Sequence, residues 1–557
     1  MVDRETRSGR PVFLTSTMTE TAGTRYWQTL AILLAGVILA AGALWASRQA
    51  TGTDWDEAGY INRAIRDRYT FQAEGLYGLV RTIGCHEAQR PPAYRMMVVP
   101  ITIPFGVSTA GVRYISIFVF AATLAIVYLL GRRLAGPACG AFTVLLLVTG
   151  PTMLLHAVTF GTEFPLYLSV AGSLYFLTRR LHTPQRSLFD IVGLGFFLGL
   201  GLLSKTSFII VAAPMMATAF VLDWRGNMPG LSPAFLLKAA LVGGLLALPW
   251  WLRSWREALA YAEYSSTFTR HSLGGFGLPM LIQWFGVFAR SATGIALLLL
   301  IAAVLARALV SRQALHRLEP HQRAALWICL AGGIPLILVQ LLGRNHNMRL
   351  ITPAFFPLAV ALGLIAAATS WTRARLLTGA ATTVFALQAA TIAVPSFAAL
   401  PVHDRETLGI PPSQVLAARE LWNWEALRQA CQDRHLANPV LQYLGNGSSY
   451  CIPHISHPWV RRNEPATVAF LWRYEEGPID WKRIRAKLAK ANVVLTVLNY
   501  QGLVADKQPL DNAHNSELAA LLKNDPRFEG PVEIDVGARP PAQIVAFFRA
   551  HQESPFR

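Results

Sequence analysis

Between Thr53 and Asp67 the chain reads TDWDEAGYINRAIRD, which sets Asp54, Asp56 and Glu57 beside the rings of Trp55 and Tyr60 just after an apolar run ends at Trp45. Acidic side chains at a membrane face are costly unless paired, hydrated or used. The plain reading is a solvated loop or a helix start, where carboxylates are favoured by the positive end of the helix. Four more groups weigh against it: Arg90 before Pro91 and Pro92, Glu163 in TFGTEFPLYL, Lys205 in GLGLLSKTSF and Arg349 in NHNMRLITPAFFPLA. A Pro-Pro pair fixes the backbone after Arg90 and so its direction, whereas Lys205 taken alone is a lysine snorkelling from a tight turn. Together these types suit one chemistry: a carboxylate takes the proton of a hydroxyl while cations hold a phosphate leaving group.

Such groups can meet only if the chain carries them to one side of a barrier. Of 557 residues, 53% are hydrophobic and 15% charged, a balance that a soluble domain does not usually keep. A bilayer core of about 30 Å needs roughly 20 apolar residues per helix. Runs near that length lie at Tyr26–Trp45, Val112–Leu130, Gly140–Leu155, Phe164–Leu177, Leu188–Leu203, Phe208–Leu222, Phe235–Trp251, Leu281–Ala306, Ala324–Leu342, Ile351–Ala368 and Leu376–Val394, about eleven spans. Alternate connections carry Arg132 and Arg133, then Arg179, Arg180 and Arg186, then Arg225 and Lys238, then Arg307, Arg312, Arg317 and Arg323, then Arg373 and Arg375. With the N-terminal arm, these fall on one side, which the positive-inside rule makes cytoplasmic. The acidic stretch then faces out, as do the connections His156–Glu163, Ser204–Thr206, Arg253–Pro279 and Gly343–Arg349, and everything after Pro395.

The formal net charge of +18 is scattered through short loops without the basic and aromatic alternation of an RNA-binding groove, so no nucleic-acid partner is expected. The stretch WASRQATG after the first run is a poor cleavage site, so an uncleaved first span is expected rather than a signal peptide. This divides the chain into a cytoplasmic arm (1–25), a membrane domain (26–398) and an extracytoplasmic domain (399–557). In the last of these, helical patterning near Ser413–Gln432 and Trp481–Lys490 alternates with strand-like Val440–Leu444 and Asn492–Asn499, the pattern of a small α/β domain. Cys139 and Cys329 read as small core hydrophobes, and Cys431 and Cys451 could pair outside the membrane. His454 and His457 read as loop residues, GNGSS at Gly445–Ser449 as a turn, and Trp422 and Trp424 as packing.

The ordered set resembles a family. The DE pair followed by an aromatic after the first span, the basic residue before Pro-Pro, the TE at Thr162–Glu163, GLGLLSK, LPWWLRSW at Leu248–Trp255 and the arginine before LITPAFFPLA look like the GT-C glycosyltransferases. More narrowly, they are similar to the group with the protein O-mannosyltransferases and the aminoarabinose lipid A transferase (glycosyltransferase family 39-like). The resemblance covers roughly Tyr26 to Val394. It implies a polytopic α-helical membrane protein of GT-C type that takes a sugar from a polyprenyl-phosphate carrier and transfers it, with inversion, to a hydroxyl of a glycan, lipid or protein on the outer face of the membrane, with a bacterial inner membrane as the expected location. By position, Asp56 would be the general base, Glu57 would orient it or the acceptor, and Arg90, Lys205 and Arg349 would hold donor phosphate. Glu163 and Tyr60 would support the site. The relatives' arginine before the tyrosine is here Gly59, and Arg63, about one turn on, would substitute if the segment is helical; Asp54 is an extra acid that competes with Asp56 as the base. Some GT-C enzymes use a divalent metal, for which Asp54, His86, Glu87 and Glu163 could supply ligands, but no ligand-spacing motif assigns a metal site here. A transporter or flippase of lipid-linked sugars is the rival class, although such proteins place charges near the midplane and often repeat internally. A third reading is a non-catalytic scaffold.

Overall fold

The computed structural model describes residues 22–48, 55–85, 88–148, 150–181, 187–226, 228–267, 272–310, 315–369, 422–445, 450–472, 478–499, 512–538 and 542–550. The expected eleventh run, Leu376–Val394, and the expected domain boundary near residue 399 lie outside them, as do Asp54, His86, Glu87 and most of GNGSS.

Each apolar run before Leu376 falls on helix. The helices are α1 (Ala22–Arg48), α2 (Trp55–Cys85), α3 (Ala93–Phe105), α4 (Thr109–Ala135), α5 (Pro137–Val148), α6 (Pro151–Val158), α7 (Glu163–Arg179), α8 (Leu188–Leu202), α9 (Phe208–Trp224), α10 (Pro233–Thr267), α11 (Leu278–Val287), α12 (Gly294–Val310), α13 (Pro320–Leu342) and α14 (Phe355–Ala368). Among the described residues, five helices are long and apolar enough to cross a membrane, or six if α5 and α6 count as one bent span. Large apolar side chains stand exposed on their outer faces, including Phe118, Leu245, Leu252 and Trp327. Water would penalise such belts and lipid does not, so the chain is a multi-pass membrane protein.

Two elements depart from the sequence reading. The third run is not straight: α5 and α6 meet at 84°, because Pro151 opens the second helix without a backbone N–H to continue the first. The stretch from Arg253 is not a connection, since α10 continues unbroken to Thr267; at 1.5 Å per residue it is about 50 Å long, well beyond an apolar core of about 30 Å. Of the two readings of the acidic stretch the structure takes the helix start and not the loop, with Asp56 and Glu57 in the first turn of α2, and the connection from α1 to α4 is filled by the two helices α2 and α3. Gly75 adopts φ 65° inside α2 and lets the helix kink there.

Close packing fixes α4 against α5. A Cβ on Gly131 would lie 2.7 Å from the Cα of Gly140, so bare backbone at both positions sets how near the helices come. The Ser108 hydroxyl accepts from the Gly111 N–H and caps the start of α4. That end holds Arg113, while Arg132 and Arg133 sit in the last turn, about 30 Å away along the axis. Glu163 and Arg179 occupy opposite ends of α7 in the same way.

The C-terminal part is a five-stranded sheet flanked by helices. Its elements are α15 (Glu425–Gln432), β1 (Val440–Leu444), α16 (Ile452–Arg461), β2 (Thr467–Trp472), α17 (Trp481–Leu488), β3 (Val493–Leu498), α18 (Asn512–Lys523), β4 (Phe528–Glu533) and β5 (Gln543–Arg549). Strand order is β2-β1-β3-β5-β4; β1 runs parallel to β2 and β3, and β5 runs antiparallel to β3 and β4. Alternation along the strands builds two cores: Val493, Leu495 and Val497 pack with Trp422, Trp424 and Tyr443 on one face, and Val494 packs with Ile484, Leu488 and Phe547 on the other. Trp422 and Trp424 are thus packing residues. Cys431 and Cys451 are both buried thiols outside any disulfide, so the pairing that the sequence allows is not formed; Cys431 packs in the apolar core as a small hydrophobe, and Cys451 Sγ lies 2.9 Å from His454 Nδ1. His454 and His457 belong to α16 rather than to a loop.

Candidate active site

The start of α2 is where the membrane helices and the sheet domain meet. Asp56 and Glu57 occupy its first turn and point to different partners. Glu57 is 1% exposed and forms a two-bond pair with Arg113 of α4, whose Nε and Nη2 donate at 2.8 and 2.7 Å. The backbone N–H of Phe160, between α6 and α7, also donates to Glu57 at 2.9 Å. The Arg113 guanidinium in turn lies 4.4 Å from the Trp45 ring centroid. This buried set ties the ends of α1, α2 and α4 together.

Asp56 belongs to a second, more open set. Its Oδ2 accepts from Arg349 Nη1 at 2.7 Å and its Oδ1 from Arg90 Nη2 at 3.3 Å. Arg349 then reaches Glu163, with Nε to Oε1 at 2.6 Å and Nη2 to Oε2 at 2.8 Å. Lys205 Nζ donates to the same Glu163 Oε1 at 3.1 Å. One guanidinium therefore bridges the two carboxylates, flanked by Arg90 at one end and Lys205 at the other. Glu163 is sealed at 2% exposed, whereas Asp56 keeps 37% of its side chain open and Arg90, Lys205 and Arg349 about a fifth each. The charged rim is accessible; the acid beneath it is not.

Local structure explains the placement. Arg349 lies in the 3-10 turn Met348–Ala354 that opens α14, and its N–H is held by the Asn347 side chain at 3.0 Å. Lys205 sits in the turn between α8 and α9. Arg90 is aimed by two tyrosines: Nη1 donates to the Tyr60 hydroxyl at 2.8 Å and Nη2 to the Tyr261 hydroxyl at 2.9 Å, and the ring centroids lie 5.2 and 5.3 Å from its guanidinium carbon. Both are cation–π distances. Tyr60 is packed edge-on against Tyr94 and Phe160. Arg63 stacks over the outer side of Tyr60 at 5.5 Å, and its Nη1 lies 3.7 Å from where a Gly59 Cβ would stand; the segment is helical, so Arg63 does occupy the space beside Gly59.

Burial pushes the Asp56 carboxyl up, but Arg349 and then Arg90 outweigh it and hold the group down at about 2. The Tyr60 phenol is raised by burial well above its ordinary range, with Arg90 only partly offsetting this. Burial lowers the Lys205 ammonium and Glu163 opposes that shift. The acid is thus a stable carboxylate and the phenol a stable donor or acceptor.

Asp56, Tyr60, Arg63, Arg90, Glu163, Lys205 and Arg349 are thus brought together. Glu57 is adjacent but belongs to the buried pair. Sequence reading missed Tyr261, which the unbroken α10 delivers from a stretch read as a connection, and Arg113, which sat unremarked inside the second run. Among the described residues no three His, Cys, Asp or Glu side chains converge to hold a metal, and the cation joining the two acids is a guanidinium.

A family model described as dolichyl-phosphate-mannose-protein mannosyltransferase matches residues 89–253, a stretch with Arg90, Glu163 and Lys205 but neither Asp56 nor Arg349. ArnT from Cupriavidus metallidurans in the apo state superimposes with a TM-score of 0.55 over 94% of this chain and 98% of that one, at 14% identity. The chain has a GT-C glycosyltransferase fold. The same GT-C protein bound to undecaprenyl phosphate gives a TM-score of 0.52 at 13% identity, again over 94% and 98% of the two chains. The GT-C oligosaccharyltransferase AglB of Archaeoglobus fulgidus, in complex with an inhibitory peptide and a dolichol-phosphate, gives 0.50 at 12% identity over 96% and 75%. No curated protein matches the chain by sequence.

Proposed function

We propose that the chain is an inverting glycosyltransferase that moves a sugar from a polyprenyl-phosphate carrier to an acceptor hydroxyl at the outer face of a cell membrane, a bacterial inner membrane by its compact loops. The observation that carries this reading is the Asp56–Arg349–Glu163–Lys205 chain with Arg90 at its rim: an accessible carboxylate stands within hydrogen-bond distance of cations that are themselves open to solvent. In this reading the acceptor oxygen attacks the anomeric carbon, Asp56 takes its proton, and the phosphate departs into the field of Arg90, Lys205 and Arg349. Glu163 aligns Arg349 and Lys205, Tyr60 and Tyr261 aim Arg90, and Glu57 anchors the helix that carries the base. The structures of similar fold with undecaprenyl phosphate and dolichol-phosphate support a lipid-phosphate donor. The domain after about residue 399 would stand on the same side as the site, consistent with its contact to α2 through Asn62 and His457. The acceptor hydroxyl belongs to a glycan, a lipid or a protein.

The test compares polyprenyl-phosphate lipids and surface glycans by mass spectrometry in source cells with the native protein or Asp56→Asn at equal abundance. One glycosylated carrier should accumulate in the variant, identifying the sugar, and one glycan should be depleted. Unchanged profiles would remove Asp56 as the base and move the transporter reading ahead.

A further inference from the structure

The charge count of the cluster has a chemical consequence, which rests on the reading just given. Around the Asp56 carboxylate, among the described residues, stand Arg349 from the turn before α14, Arg90 from the segment before α3, Tyr60 from α2 and Glu163 from α7, with Lys205, His156 of α6 and Tyr261 of α10 behind them. The Tyr60 phenol, raised by burial, is neutral. The three cations hydrogen-bonded to the two carboxylates leave one net positive charge in that network, whose rim is open to solvent, with Arg63 outside it over the Tyr60 ring.

A sugar linked to a lipid through a phosphodiester carries one negative charge, so with Asp56 ionised the loaded site is neutral. Transfer changes both sides of that balance. The acceptor oxygen–carbon bond forms, the anomeric carbon–phosphate oxygen bond breaks with its electron pair on the phosphate, and the acceptor proton moves to Asp56. The phosphate monoester left behind carries two negative charges above its second pKa of about 6. The site, with Asp56 now neutral, carries two positive charges. Neutrality is kept in both states, and only because the proton stays on Asp56.

We propose that Asp56 couples its protonation to the charge of the bound phosphate: the ionised acid admits the singly charged diester, the protonated acid retains the doubly charged monoester, and loss of the proton to water expels the product. The geometry supports the coupling. Asp56 and a phosphate would compete for Arg349 Nη1 and Arg90 Nη2, the two donors that now hold the carboxylate. Arg349 cannot simply turn away to serve the phosphate alone, because its other nitrogens are fixed on the sealed Glu163. A dianion that takes both donors removes what holds the acid ionised, so the acid binds a proton as the dianion binds.

The experiment measures binding of farnesyl phosphate and of its methyl phosphodiester to the full-length protein in detergent between pH 7.5 and 9, with proton uptake read from calorimetry in buffers of different ionisation enthalpy. The expected result is uptake of about one proton with the monoester, its affinity falling about tenfold per pH unit, and no uptake with the diester. Asp56→Asn, which mimics the protonated acid, should bind the monoester more tightly than the native protein at pH 9 and lose the slope. Monoester binding without proton uptake in the native protein would overturn the coupling while leaving the transferase reading standing. An unchanged slope in Asp56→Asn would assign the proton to another group and overturn the role of Asp56. If neither lipid binds, the phosphate site itself is wrong, and both readings fall together.

Discussion

Asp56 and Glu57 are neighbours in the same helical turn, and the two regions they enter could hardly differ more. Glu57 meets Arg113 in a dry, doubly bonded pair at 1% and 0% exposure. Asp56 meets Arg349 and Arg90 in a cluster whose rim stays open. A similar contrast repeats further along α2, where Asp67 and Arg95 of α3 form another fully buried pair. Buried pairs hold helices in one arrangement and punish the loss of either partner. A cluster with an open rim can exchange a partner for a ligand. One α-helix therefore carries both a sealed ion pair and an accessible acid, on two of its faces.

The strongest way to break this comparison is Arg113→Ala, which strands the buried Glu57 carboxylate. It should cost about 3–5 kcal/mol of stability and sharply reduce folded protein, as read by thermal unfolding in detergent. Native-like unfolding would mean the inner pair is not structural. Asp56→Asn should do the reverse, leaving the unfolding temperature nearly unchanged while transfer by purified enzyme falls about 10²–10⁴-fold.

The acid held at about 2 makes a sharper prediction. Because its folded value lies below the ordinary 3.8, whatever it contributes to stability is full above about pH 4 and disappears as the pH falls through about 2. For an acid this open, that contribution is small. In the same way kcat/KM, which reports the free enzyme, should show no acid limb from Asp56 above about pH 3. A limb near 5 to 6 that shifts in Asp56→Glu would show that the resting cluster is looser than this geometry.

A third face of α2 binds the sheet domain. Asn62 Nδ2 donates to the Pro453 carbonyl at 2.7 Å, and its Oδ1, which can only accept, places the proton of His457 on Nδ1 at 2.7 Å. The Tyr69 hydroxyl donates to the Arg461 carbonyl at 2.6 Å. Asn62→Ala should weaken the docking by about 1–3 kcal/mol, seen as faster proteolysis between the two parts. Burial and then Arg461 lower the His457 imidazole, so protonation favours the undocked state and docking should weaken as the pH falls below about 6.5. The smallest effect is expected from Tyr261→Phe, which keeps the ring over Arg90 and removes one hydroxyl acceptor; about 0.5–1.5 kcal/mol would appear in the KM for the lipid donor rather than in kcat.

The sequence by itself determined the membrane-spanning character, the sheet domain and most members of the cluster. Runs of apolar residues near bilayer length are a one-dimensional signal, and the alternation in Val493–Leu498 is another. Charged residues placed at the ends of such runs are conspicuous because every neighbour is apolar, which is how Glu163, Lys205 and Arg349 could be read without a structure. Only the tertiary structure decided which partners each acid takes. Asp56 and Glu57 are both carboxylates in one helical turn, and their partners separate only when α4 brings Arg113 to one side of the turn while α7, α10 and the turn before α14 converge on the other. Tyr261 and Arg113 were illegible for the same reason: a lone tyrosine in a long helix and a lone arginine in an apolar run acquire meaning only from partners far away in sequence, through contacts of a few ångströms that periodicity does not encode.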